Sequence, residues 1–118
     1  MKRVTWSLGI GLDKDGLPTV PEGGKRSLDE LDKYVATVYG GYSRYLIRGG
    51  WISPTNGLQR EPAIVYEVYT ELPSDVHHTT ARYLGELLNQ ETVLLTVQPV
   101  ESLSFVEVKG EETAKAVS

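Results

Sequence analysis

From Val4 to Leu12, apolar residues take every second place: Val4, Trp6, Leu8, Ile10 and Leu12, with Thr5, Ser7, Gly9 and Gly11 between them. Side chains of a strand point alternately to its two faces, so this pattern predicts a strand with one buried face. The opposite face is made of small residues. They leave room for another chain, a second sheet or a ligand, or they make way for a large neighbouring side chain. Asp13 to Arg26 is turn and loop chemistry throughout and is long for a connection in a compact domain. Its Asp13-Lys14-Asp15-Gly16 run lacks the spacing and the closing glutamate of a calcium-binding hand.

Ser27-Leu28-Asp29-Glu30 is a capping box, in which the serine hydroxyl and the glutamate each satisfy one free backbone N–H at a helix start. Leu28, Leu31, Val35 and Val38 then recur at steps of three and four, and Gly40-Gly41 permits the chain to leave the helix. Tyr42 to Ile52 and Gln59 to Glu71 read as two strands joined by the turn Ser53-Pro54-Thr55-Asn56-Gly57. Pro62 belongs near the start of the second or on a bulge. Pro73-Ser74-Asp75 opens a second helix whose Val76, Thr80, Tyr83, Leu84, Leu87 and Leu88 trace one face. Thr92 to Gln98 alternates as a strand, and Leu103 to Val108 has the composition of a further one.

Strand–helix–strand, given twice, is the split βαβ order of a ferredoxin-like domain. Right-handed crossovers put both helices on one face of a four-stranded antiparallel sheet, with the first and third strands central. The expected class is therefore α+β, βαββαβ, with residues 1–108 as one domain and 109–118 as a flexible tail. In the same order come Gly50-Trp51, Gly57 and Arg60-Glu61-Pro62. On these residues the chain resembles an uncharacterised domain-of-unknown-function family of small bacterial and phage proteins. The resemblance spans about residues 5 to 108. It implies a ferredoxin-like fold and carries no activity.

Composition narrows the field. The net charge of −4 leaves no excess of lysine and arginine for duplex DNA, and the absence of cysteine excludes disulfides, thiolate metal sites and a cysteine nucleophile. No apolar run approaches the ~18 residues of a membrane span. The opening MKRVTWSLGIGL alternates and leads into Asp13 and Asp15 without a cleavage pattern, which predicts a cytoplasmic chain.

Four groups of residues are candidates for chemistry. Tyr39, Tyr42 and Tyr45, with Trp51 and Arg44 or Arg48, form an aromatic and basic neighbourhood suited to stacking and phosphate pairing, and equally to a protein interface. Arg60 suits an anion and Glu61 a base, but consecutive strand residues face opposite ways, so one site would use one of them, and either suits a cross-strand charge pair. Glu67, on the open sheet face with Ser7, Gly9 and Tyr69, could receive a basic ligand group or pair with Arg48. His77 and His78 are adjacent on a helix and point about 100° apart, too far to share a metal.

The reading these features favour is a non-catalytic, homo-oligomeric binding protein without cofactor or metal. Its candidate site comprises Ser7, Gly9, Tyr42, Arg44, Arg48, Trp51, Arg60, Glu67 and Tyr69. The ligand would be a small nucleotide-like anion, or the partner a protein, as in a phage sponge or an inhibitor of host defence. The alternatives are a small dimeric enzyme with Glu67 or His78 as general base, and a scaffold subunit.

Overall fold

A computed structural model describes residues 1–109. The elements are β1 (Lys2–Gly9), β2 (Gly11–Leu12), β3 (Pro18–Thr19), α1 (Leu28–Tyr39), β4 (Ser43–Ser53), β5 (Gly57–Thr70), α2 (Ser74–Leu87) and β6 (Leu94–Pro99). The main sheet has the order β4-β5-β1-β6, antiparallel throughout. This is the expected ferredoxin-like arrangement, and β1 and β5, the first and third long strands, are its centre.

Alternation decides the faces. Val4, Trp6 and Leu8 of β1 lie beside Ile64, Tyr66 and Val68 of β5, and all are buried in one core with Leu31 and Val35 of α1 and Leu84 and Leu87 of α2. Both helices therefore cover the same side. The capping box forms as the sequence implies: the Glu30 backbone N–H donates to Ser27 Oγ at 3.2 Å, and Ser27 N–H to Glu30 Oε1 at 3.4 Å. Gly40, at φ 85°, ends α1 in a conformation that costs other residues a Cβ clash.

Three local expectations differ from the structure. The first strand breaks at Ile10, and Gly11–Leu12 pairs instead with Pro18–Thr19 in a separate two-stranded sheet. The break has a cause: the Gln90 side chain bonds both Gly9 backbone groups, accepting from its N–H at 2.8 Å and donating to its carbonyl at 3.1 Å. That side chain takes the place of a strand partner. On α2 the buried face runs through His77, Thr80 and Leu84, while Tyr83 is exposed and meets Tyr34 of α1 ring to ring at 4.4 Å. Leu103 to Val108 forms no strand. The tail expected over 109–118 lies outside the described residues from position 110 onward.

Candidate functional site

The strand register sorts the candidate residues into three places. On the open face of the sheet, Arg3, Thr5, Ser7 and Gly9 of β1 lie opposite Tyr69, Glu67, Val65 and Ala63 of β5. Tyr45 is paired with Val65 from β4, and Thr96 and Gln98 stand beside Thr5 and Arg3 from β6. Arg3 and Glu67 together tie the four strands. Arg3 Nε and Nη2 donate to Glu67 Oε1 at 2.9 and 2.6 Å, and its Nη1 to Gln98 Oε1 at 2.8 Å. Tyr45 donates to the same Glu67 oxygen at 3.2 Å and Tyr69 to the other at 3.3 Å. Thr5 and Thr96 join their hydroxyls below this belt.

Glu67 is thus paired with Arg3 and not with Arg48. Parity explains the correction: Arg48 lies across from Pro62 and Glu67 across from Ser43, so their side chains leave opposite faces of the sheet. The carboxylate hydrogen bond holds the Arg3 guanidinium pKa above its ordinary value. The Tyr45 phenol is pushed up, first by burial and then by the Glu67 charge. Ser7 is half-buried on this face, and the space beside Gly9 is taken by Gln90 at 3.2 Å from where a Cβ would stand.

Tyr42 and Arg44 belong to the helix side. Arg44 donates to both carboxylate oxygens of Asp32 in α1, at 2.8 and 3.1 Å, and the buried Tyr66 donates to Asp32 at 2.6 Å. Tyr42 packs on Tyr66 with ring centroids 5.8 Å apart. Burial, and after it the Asp32 carboxylate, drives the Tyr66 phenol far above its usual range. Asp32 therefore holds two partners in a partly buried place. Asp32→Ala is expected to destabilise the chain by about 2 kcal/mol, because it leaves a phenol and a guanidinium without their acceptor. Asp32→Asn, which keeps one acceptor, should cost less. Urea unfolding of both variants reads the difference.

The third place is the far half of the β4–β5 hairpin. The turn is closed by Ser53 Oγ, which accepts from the Thr55 and Asn56 backbone N–H groups at 3.3 and 3.2 Å, and Gly57 leaves it at φ 72°. Arg48 (opposite Pro62) and Arg60 (opposite Gly50) share one side of this arm. They line a cavity of about 430 Å³ with Gly49, Gly50, Leu58, Glu61 and Pro62. Gly50 is its floor: a Cβ there would meet the Gln59 carbonyl at 3.0 Å and Leu58 Cδ1 at 3.4 Å. Neither Arg48 nor Arg60 has a carboxylate partner among the described residues. Trp51 leaves the other side of the ribbon, and its indole N–H donates to Glu61 Oε1 at 3.4 Å.

Of the histidines, His77 is 1% exposed. Its Nδ1 is 3.0 Å from Tyr39 Oη, its ring stacks on Tyr39, and its backbone carbonyl accepts from Trp6 Nε1 at 3.0 Å. Its Nε2 has no hydrogen-bond partner among the described residues. Burial lowers its pKa below 6.5, more than the nearby Leu72 backbone raises it. The unfolded imidazole takes up a proton near its ordinary value and the folded one only at lower pH. Stability is then full above about pH 6.5 and falls as pH drops below it. Urea midpoints measured from pH 8 to pH 5 should show this decline, and His77→Gln should lack it. His78 is exposed on α2, so it and Glu67 stand on opposite sides of the sheet and do not share a site. The loop of residues 13–26 is tied to the end of α2: the Lys25 backbone N–H donates to the Leu87 carbonyl at 2.7 Å and Asn89 to the Glu22 carbonyl at 3.2 Å.

No family model matches the chain, and no curated protein matches it either. Among solved structures it is similar to a phage SAM lyase in complex with S-methyl-5'-thioadenosine. The two share 14% identity over 82% of this chain and 79% of that one, with a TM-score of 0.55. A phage SAM lyase in the apo state also matches, at 15% identity over 82% and 78% and a TM-score of 0.48. The first likeness establishes a shared fold. No helix among the described residues is long and apolar enough to cross a membrane.

Proposed function

We propose that this chain is a non-catalytic, oligomeric binding protein for a small nucleoside-type anion, seated where Arg48 and Arg60 line the cavity of the β4–β5 arm. The observation that carries this reading is the pair of arginines over a glycine floor, with no carboxylate among the described residues claiming either. Two guanidinium groups suit a phosphate or another anionic group by paired, charge-assisted hydrogen bonds. Leu58 and Pro62 offer apolar area for a ring. The volume falls in the range of about 300–1,000 Å³ usual for small-molecule sites. A fold shared with a phage protein solved with a bound nucleoside agrees with a ligand of this class. A phage-type sponge, holding a nucleotide signal away from a host defence, is the biological role this fits.

Calorimetry against AMP, adenosine and S-methyl-5'-thioadenosine tests it. AMP should bind more tightly than the two uncharged nucleosides and lose affinity as salt is raised. Equal affinity for all three, or no heat, would overturn it.

The structural neighbour favours a second reading, cleavage of S-adenosylmethionine. Trp51 beside Glu61 sets an aromatic face next to a carboxylate, a combination that suits a sulfonium cation. Catalytic release of S-methyl-5'-thioadenosine from S-adenosylmethionine, followed by chromatography, separates an enzyme from a binder.

A further inference from the structure

The last described residues are out of keeping with the rest of the chain. After Pro99 the segment Leu103-Ser104-Phe105-Val106-Glu107 is apolar in three of its five positions and carries the β-forming residues Phe105 and Val106. Phe105 is 93% exposed and Val106 80%. From Leu103 to Glu107 no hydrogen bond or ion pair holds this segment to the described chain.

A place that fits such a segment lies on the same fold. Among the described residues β6 is an edge strand, bonded only to β1. Between it and α2 runs an open groove of about 890 Å³, with Ala81, Val93 and Leu95 as its apolar lining. A helix beside a free strand edge is the architecture that takes up an extended chain by strand addition. Its rim carries His78 and Arg82, neither of which has a carboxylate partner among the described residues. Lys25 and Glu86 face each other there at 3.5 Å, and Glu91 is the other acid.

We infer that residues 103–107 of one copy of this chain add as a strand to the β6 edge of a second copy, in the groove under α2. Leu103 and Phe105 leave one face of the added strand and fill the groove, since alternate residues share a face. Val106, on the other face, covers the exposed Leu94. Glu107 meets Arg82 on the rim. The exchange is reciprocal and closes as a two-fold dimer, because each copy carries both the segment and the edge. The inference stands independently of the ligand proposed for the hairpin arm, which lies on strands at the opposite edge of the sheet.

The test is sedimentation of the full chain over a range of concentrations, with amide exchange read at β6. The full chain should pass from monomer to dimer as concentration rises, and β6 amides should gain protection in step. Phe105→Asp, a change at an exposed position that the fold does not use, should remain monomeric with the β6 amides that face away from β1 unprotected and an unchanged unfolding midpoint. A full chain that stays monomeric overturns the inference. So does association that Phe105→Asp leaves intact, and so does concentration-independent protection of the β6 amides that face away from β1, which would mean that the segment folds back on its own chain.

Discussion

Replacing Arg48 and Arg60 together by alanine is expected to lower affinity for AMP by about 100-fold or more while leaving the fold intact. Each charge-assisted hydrogen bond to an anion is worth about 1.5–3 kcal/mol, and about 1.4 kcal/mol is tenfold in a binding constant. Both side chains are exposed and neither supports the core, so the unfolding midpoint should move little. Single replacements should each give part of the loss. Calorimetry of the three variants checks the magnitude, and thermal unfolding checks the fold. Arg44→Ala makes an informative contrast. Its guanidinium is engaged with Asp32 on α1, so it should cost stability and leave AMP affinity unchanged.

Trp6→Ala should be among the most damaging single changes in the chain. Trp6 is wholly buried at the centre of the sheet, its ring lies 5.2 Å from that of Tyr39, and its Nε1 donates to the His77 carbonyl. Removal costs transfer free energy and leaves a cavity, about 4 kcal/mol together. A domain of this size holds on the order of 5–15 kcal/mol in all, so the variant is expected to be marginally folded at room temperature. Urea unfolding measures the loss. Trp6→Phe, which keeps most of the volume and loses the N–H, should fall between the two.

The fold was legible because its signals are local. Alternation at Val4, Trp6 and Leu8, the capping box at Ser27 and the turn at Ser53–Gly57 each act within a few residues, and the order of elements does the rest. The site was legible only in part, because its residues are brought together by register. Arg44, Arg48 and Glu67 look like neighbours in a hairpin, yet pairing of Ser43 with Glu67 sends both arginines to the other face. Tyr39, Tyr42 and Tyr45 likewise end in three surroundings: the core beside Trp6, the ring of Tyr66, and the Glu67 belt.

Three residues that matter to these surroundings gave different degrees of warning. Arg3 lies two places before Thr5 in the same alternation, so its position on the open face with Ser7 could have been read from the chain. Asp32 looked like one of several acids near the start of α1, and nothing local marks it as the partner of Arg44 and Tyr66. Gln90 follows α2 in a loop without pattern; its grip on Gly9 spans 81 residues and only the folded chain reveals it. The small face of β1 therefore makes way, at Gly9, for a side chain of the same molecule.

The central claim is that the β4–β5 arm, and not the open sheet face, holds the ligand. The direct measurement is amide chemical-shift mapping of the isotope-labelled chain titrated with AMP. Shifts concentrated at residues 48–50 and 58–62, absent when Arg48 and Arg60 are replaced, are the predicted result. Shifts centred on Thr5, Ser7 and Glu67, with the arm unmoved, would contradict it.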